Sequence, residues 1–145
     1  MLVAGLNTQV LKFGIGRRRP FGGGRAGPLY FEHFTQNPAF ASLPSGHATT
    51  AFALAFAVSA LWPRTIVAMA AYAILICVSR VVLLAHHPSD VVAGALVGVI
   101  GAMFVRYWFA ARRLGFAIRR DGVIVPLAGP SWATLKRVAR EAFAP

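Results

Sequence analysis

Three long apolar segments dominate the middle of this 145-residue chain, from about Ala48 to Trp62, from about Thr65 to Ala85 and from about Val91 to Phe109. A helix needs about 20 predominantly apolar residues, within a range of roughly 17–25, to cross a bilayer. The second and third segments reach that length, and the first does when the turn before it is included. We therefore predict an all-α membrane helix bundle with about three transmembrane helices, at about residues 46–62, 65–85 and 89–110. A buried helical core in a soluble protein is the alternative reading of the same segments.

Polar residues at the ends of these segments predict where the helices begin. Ser45 in "PSGH" is a typical N-cap, and Pro88 followed by Ser89 and Asp90 suits the first turn of a helix. Residues 1–44 look irregular, because "GIGRRRPFGGGRAGPLY" is rich in turn-forming residues. We expect a loop over 12–20 within a first domain of residues 1–110. A basic C-terminal tail follows over 111–145, with a turn-rich piece and a final helix from about 132 to 143.

Antiparallel spans place alternate connections on opposite faces of a membrane. The turn before Ala48 and the junction "SRVVLLAHHPSD" (residues 79–90) should therefore lie on one face, together with the loop that contains Lys12 and Arg19. His47 and the ionisable residues of the junction are then expected to converge on one site.

Composition and charge support a membrane protein. The chain is 57% hydrophobic with a mean hydropathy of +0.63, and 13% of its residues are charged, against roughly 25% in a typical soluble domain. Its net charge of +11 comes from basic residues that flank the apolar block, a typical membrane pattern, and no DNA-recognition helix is evident. We therefore expect membrane lipid, and no nucleic acid, as a partner. The second face is expected to be cytoplasmic because it carries Arg64, Arg112, Arg113, Arg119 and Arg120. The polar site is then expected on the non-cytoplasmic face. The single cysteine, Cys77, excludes an intramolecular disulfide.

The ionisable residues of the junction suit acid–base or nucleophilic chemistry. Asp90 is the only acidic residue between Glu32 and Asp121, and it follows His86 by four positions. A carboxylate bonded to one ring nitrogen fixes the tautomer and makes the other nitrogen a better nucleophile or base. The alternative is a pair that only caps a helix.

Several cations and a helix N-terminus suggest that the site binds an anion. Gly46 and the free N–H groups beside His47 can approach a phosphate closely, and Arg80 can bind it bidentately. Taken singly, His47 can be an incidental interfacial residue, Arg80 a snorkelling side chain, and Lys12 with Arg19 a headgroup patch. Taken together they suit phosphoryl transfer, in which one histidine attacks phosphorus and the other protonates the leaving oxygen. That chemistry requires no metal or cofactor. A zinc ion on His47, His86 and Asp90 is the alternative.

Three stretches in order resemble a known signature. "KFGIGRRRP" fits lysine, six residues and Arg-Pro; "PSGH" matches completely; "SRVVLLAHHPSD" fits Ser-Arg, five residues, histidine, three residues and aspartate. Over about residues 12–110 the chain is similar to the type 2 phosphatidic acid phosphatase and vanadium haloperoxidase superfamily, in its membrane lipid phosphatase branch. The resemblance implies that His86 is a nucleophile that forms a phosphohistidine, that Asp90 orients it and that His47 protonates the leaving group. It also implies a phosphate-binding set of Lys12, Arg19, Ser45, Gly46 and Arg80. His87, Arg17 and Arg18 lie outside the pattern.

The resemblance implies a metal-independent membrane phosphatase that acts on a lipid phosphate or an isoprenyl diphosphate. Membrane members of the family usually have six spans with the first motif after the third, and this chain lacks the first three. We therefore expect association between copies of the chain, or N-terminal spans outside it, to complete the bundle. Two other functions stay open: a non-catalytic module that binds anionic lipid, and a vanadate-dependent haloperoxidase.

Overall fold

The protein is mostly helical, as the sequence predicts. The structure, a computed structural model, describes residues 2–22, 27, 29–127, 129 and 136. Its main elements are four helices: α1 (Leu2–Ile15), α2 (Gly46–Leu61), α3 (Ile66–Val82) and α4 (Pro88–Ala111). Single 3-10 turns at Pro20–Gly22, Pro38–Phe40 and Pro63–Thr65 lie in the connections. The three predicted apolar helices lie within a few residues of their expected positions.

Helix α1 corrects the expectation that residues 1–44 are irregular. Its last turn contains Lys12, so the first motif begins on a helix rather than in a loop. The helix ends at Gly16, whose N–H donates to the Lys12 carbonyl at 2.9 Å and whose φ is 60°. That left-handed conformation favours glycine, and a Cβ there would collide with the Glu32 carbonyl. The prediction failed because isolated polar residues and Gly5 obscured the helical periodicity of this segment.

Helices α2 and α4 pack against each other through glycine. A Cβ at Gly94 would collide with the Ser45 carbonyl, and one at Gly98 would collide with the Thr49 carbonyl. Small residues four apart let two helix backbones approach closely, a common arrangement between membrane helices. The other side of α2 packs on α3 through a small core of Ala51, Ala55 and Ala73. Residues 2–105 thus form one compact unit around α2.

Two stretches, Pro63–Val82 with 20 residues and Pro88–Ala111 with 24, are long and apolar enough to cross a membrane. Only 6% of the first apolar window and 22% of the second are buried within the described structure. The core helix of a soluble protein would be mostly buried, so the low burial favours the membrane reading. Helix α2, with 16 residues, is shorter than such a span.

The segment from Arg106 onward forms a second unit. It contains an antiparallel hairpin of β1 (Phe116–Ile118) and β2 (Ile124–Pro126), in which Ala117 pairs with Val125. Arg106 donates from Nη2 to the Ile124 carbonyl at 2.8 Å. The sequence analysis expected only a turn-rich tail here, so the hairpin is a correction. The helix expected over 132–143 lies outside the described residues, Lys136 excepted.

Candidate active site

The start of α2 presents the "PSGH" motif to the last turns of α1. Ser45 is the N-cap, because its Oγ accepts from the Ala48 N–H at 3.5 Å and its carbonyl accepts from the Thr49 N–H at 3.0 Å. Thr8 and Lys12 lie one helical turn apart on the same face of α1. Their side chains reach Gly46, where a Cβ would lie 3.6 Å from the Lys12 ammonium nitrogen. The first and second motifs therefore meet at one helix N-terminus.

The start of α4 is joined to the start of α2. The Ser45 N–H donates to the Asp90 carbonyl at 2.9 Å. The structure thus brings the second and third motifs together, as the alternation of connections predicts. Arg80, in the last turn of α3, leads into the same junction, and its carbonyl accepts from the His86 N–H at 3.3 Å.

Asp90 is fully buried and both of its carboxylate oxygens are occupied. Oδ1 accepts from Nη1 of Arg17 at 2.7 Å. Oδ2 accepts from the Ser42 hydroxyl at 2.6 Å and from the His87 N–H at 2.8 Å. The lone carboxylate of this region therefore lies in a closed polar network.

His86 is held by a backbone carbonyl. Its side chain is buried, and Nδ1 lies 2.8 Å from the Ser42 carbonyl oxygen. The Asp90 Oδ2 is 3.9 Å from the same nitrogen, too far for a hydrogen bond. A carbonyl only accepts, so Nδ1 must be the donor and the Nε2 of the neutral ring keeps its lone pair. Asp90 thus contacts His86 through Ser42 rather than by the direct bond that the sequence analysis expected.

The pKa of His86 is lowered to about 4, mainly by burial and then by the positive charges of Arg19 and Lys12. The Ser42 carbonyl and Asp90 oppose this shift. An imidazole with this pKa is neutral at physiological pH, which is the state that a nucleophile requires.

The same cations act on His47. Its pKa is lowered by burial and then by the charges of Arg80, Lys12 and Arg19. The pKa of Lys12 is itself lowered, by burial first and by Arg19 second, and burial lowers the pKa of Arg19. Cations held this close together repel one another, so a phosphate bound between them is favoured because its negative charge offsets that repulsion. All eight residues expected from the sequence thus lie in or beside one cluster at the starts of α2 and α4.

The sequence analysis missed two residues of this cluster, Arg17 and Ser42. Three consecutive arginines each lie over an aromatic ring, Arg17 over Phe31 at 5.9 Å, Arg18 over Tyr30 at 5.8 Å and Arg19 over Phe21 at 5.8 Å. Of these, Arg17 reaches Asp90. Nothing in "RRR" distinguishes the three, and Ser42 precedes the second motif without belonging to it.

Among the described residues, no group of three or more His, Cys, Asp or Glu side chains could hold a metal ion. The zinc alternative on His47, His86 and Asp90 therefore finds no support in the geometry, because the Asp90 oxygens bind protein donors.

Two curated proteins are similar to nearly the whole chain. A lipid A 1-phosphatase of Rhizobium johnstonii is 37% identical over 142 residues, which are 98% of this chain and 54% of that protein. A lipid A 1-phosphatase of Rhizobium etli is 37% identical over 138 residues, which are 95% of this chain and 56% of that protein. The chain spans about half the length of these relatives. No solved structure matches it.

The family model of the PAP2 superfamily matches residues 1–114, and this range contains every residue of the cluster. The resemblance carried by the three motifs is thereby confirmed, and the chain belongs to the PAP2 superfamily.

Proposed function

We propose that this chain acts as a membrane phosphatase that hydrolyses a lipid phosphate through a phosphohistidine on His86. The observation that carries the proposal is the 2.8 Å contact between His86 Nδ1 and the Ser42 carbonyl. It leaves the Nε2 lone pair available in a buried, neutral ring beside two cations. A histidine that only fills the core of a soluble protein has no need of the positive charges of Lys12 and Arg19 beside it.

The proposed reaction begins with the phosphate held by the α2 N-terminus and by the cationic side chains of Lys12, Arg19 and Arg80. These groups offset the negative charge of the phosphoryl oxygens as it shifts in the transition state. His86 Nε2 forms a bond to phosphorus while the ester oxygen departs. Water then attacks the phosphohistidine, which releases inorganic phosphate and restores the neutral imidazole.

His47 is the proposed proton donor to the departing oxygen. In the free protein the pKa of His47 is lowered, chiefly by burial, so its ring is mostly neutral there. It becomes protonated, and able to donate, once the substrate is bound. A phosphate dianion beside His47 stabilises the imidazolium and raises that pKa again. In the second step the neutral ring takes a proton from the attacking water.

A phosphorylated lipid is the substrate class that the relatives favour. Both are named lipid A 1-phosphatases, and the identity extends over almost the whole chain. The exposed apolar helices α3 and α4 support a position of this site beside lipid. An isoprenyl diphosphate is the second substrate class, because it offers the same terminal phosphoryl group on an apolar chain.

The site is proposed to face the non-cytoplasmic side of the membrane, since the basic residues at Arg64, Arg112 and Arg113 favour the cytoplasm. The apolar surface of α3 is proposed to lie against lipid, a second copy of the chain or spans outside it.

The testing experiment measures phosphate release by the chain in membranes with chelator present. The substrates are a 1-phosphorylated lipid A, a diacylglycerol phosphate and an isoprenyl diphosphate, each assayed with wild type and His86→Ala. Chelator-resistant release that disappears in the variant supports the proposal, as does an acid-labile phosphate on wild type. Salt-sensitive lipid binding without release would instead indicate a lipid-binding module, and halide oxidation that requires vanadate would indicate a haloperoxidase.

A further inference from the structure

Arg17 lies in a buried ion pair that the three motifs do not include. Its Nη1 is 2.7 Å from Asp90 Oδ1, with side-chain exposures of 9% and 0%. The same nitrogen donates to the Ser89 hydroxyl at 2.7 Å. Burying two charges costs free energy that only good geometry and additional hydrogen bonds offset. The Arg17–Asp90 pair has such bonds, from Arg17 to the Ser89 hydroxyl and from the Ser42 hydroxyl to Asp90.

Ser42 connects this pair to His86 by three separate bonds. Its N–H donates to the Arg17 carbonyl at 3.0 Å. Its hydroxyl donates to Asp90 Oδ2 at 2.6 Å, and its carbonyl accepts from His86 Nδ1 at 2.8 Å. The ion-paired Asp90 thus fixes the Ser42 hydroxyl, and the Arg17 main chain fixes the Ser42 N–H. The carbonyl that holds His86 therefore has little freedom to rotate.

We infer that Arg17 is a positioning residue for the nucleophile. Through Asp90 and Ser42 it holds the His86 ring with Nδ1 protonated and Nε2 aimed for attack, an inference that rests on the proposed function. Arg17 itself does not touch the phosphate in this arrangement, because Nη1 is bound to Asp90 and Ser89 and the guanidinium lies over Phe31. Lys12 and Arg19, whose charges act on His86, supply the phosphate-facing positive charge.

The neighbouring Arg18 offers a matched control. It has the same side chain and lies over an aromatic ring at a similar distance, 5.8 Å from Tyr30. Removal of Arg18 lowers the net charge by the same amount and removes a comparable ring contact. It leaves the hydrogen bonds among Arg17, Asp90 and Ser42 in place.

The kinetic test compares Arg17→Met, Arg17→Lys and Arg18→Met at equal amounts of monodisperse, folded protein. In Arg17→Met we expect kcat to fall about 10- to 100-fold, because a nucleophile displaced by about 1 Å loses that much rate. KM should change less than about threefold, since phosphate contacts remain. Arg17→Lys should recover part of the rate, and Arg18→Met should stay within about twofold of wild type.

The pH profile supplies a readout that a merely structural role would not change. Three charged groups act on His86: Lys12 on α1, Asp90 on α4, and Arg19 in the connection that follows α1. Without Arg17, no cation offsets the negative charge of Asp90, whose Oδ2 lies 3.9 Å from His86 Nδ1, so that charge stabilises the imidazolium more strongly. The acid limb of kcat should therefore move to higher pH by about one unit in Arg17→Met and should not move in Arg18→Met.

A spectroscopic test does not depend on turnover. In ¹⁵N-histidine-labelled protein at about pH 7, His86 should give the signals of a neutral ring protonated at Nδ1, identified by their loss in His86→Ala. That signature should persist in Arg18→Met and change in Arg17→Met. If wild type releases no phosphate but this pattern appears, the proposed function fails, while the effect of Arg17 on the tautomer and orientation of the His86 ring stands.

Three results would overturn the inference: an unchanged His86 signature in Arg17→Met, equal losses in the Arg17 and Arg18 variants, or a raised KM with unchanged kcat. Should Arg17→Met fail to fold, Ser42→Ala takes its place, because it removes the hydroxyl bond to Asp90 and keeps the carbonyl. If the ¹⁵N signals of His86 in that variant no longer show a ring protonated only at Nδ1, the result supports the network. Unchanged signals contradict it.

Discussion

The Nδ1 atom of His86 lies 2.8 Å from the carbonyl oxygen of Ser42, closer than any carboxylate oxygen. This contact fixes the proton on Nδ1, and because a carbonyl carries no negative charge, it does not form an ion pair with the ring. A histidine paired directly with a carboxylate would gain stability as the imidazolium, whereas one bonded to a carbonyl beside cations stays neutral. The arrangement therefore suits attack rather than proton storage.

His86 and His87 should differ sharply when each is replaced by alanine. His86→Ala should lower phosphate release on the order of 10³-fold or more, because it removes the side chain proposed to form the covalent intermediate. His87→Ala should keep most of the activity, since its contact with Asp90 is made by the backbone N–H. Phosphate-release rates of the two purified variants decide the point, and a larger loss in His87→Ala would contradict the assignment of the nucleophile.

Stability should fall as the pH is lowered, because the pKa of His86 is about 4 in the folded chain and 6.5 in the reference state. The unfolded chain binds the proton more readily, so the contribution of His86 is fully present above pH 6.5 and is lost as the pH falls toward 4. Thermal unfolding in detergent at intervals across this window should show that loss in wild type. The variant His86→Asn should show a shallower dependence, and parallel curves for the two proteins would argue against a depressed pKa.

The loss of kcat in His47→Ala should depend on whether the leaving group needs a proton as it departs. With an alkyl or sugar phosphate, His47→Ala should lose about 10²–10⁴-fold in kcat, the usual range for general acid catalysis. With a nitrophenyl phosphate, whose leaving group departs without a proton, the loss should be much smaller. Equal losses on both substrates would indicate that His47 binds phosphate instead of donating a proton.

The contact between α2 and α4 should tolerate no side chain at Gly94. A Cβ there meets the Ser45 carbonyl, so Gly94→Ala should destabilise the chain by about 1–3 kcal/mol and weaken phosphate binding at the α2 N-terminus. Gly101→Ala, on the same helix with nothing within 4 Å, should be neutral or stabilising by roughly 0.5–1 kcal/mol. Thermal unfolding and KM for the two variants test this, and similar values for both would show that α4 is free to shift.

Membrane orientation can be read by labelling, because Cys77 is the only cysteine. In a Cys77→Ala background, Leu29→Cys and Arg113→Cys introduce single thiols at exposed positions. An impermeant maleimide applied to the non-cytoplasmic side of intact cells should label the first and not the second. The reverse pattern would place the site in the cytoplasm.

Local sequence is enough to predict the helices α2 and α4 and the polar residues at their starts. Both are local properties. An apolar run of sufficient length forms a helix wherever it lies, and a serine cap or a proline in a first turn acts on its own helix. The resemblance of the three motifs implies His86 rather than His87 as the nucleophile. The alternation of the spans predicts that His47, Arg80 and Lys12 lie on one face.

Contacts between distant segments select Arg17 rather than Arg18 as the partner of Asp90, and they bring the Ser42 carbonyl to His86. Arg17 and Asp90 are 73 positions apart, and His86 and Ser42 are 44 apart. Which of three identical side chains points inward depends on where α1 ends at Gly16 and on how the following backbone pairs with residues 39–42. Such contacts arise from packing between distant segments, and no local pattern of residues records them.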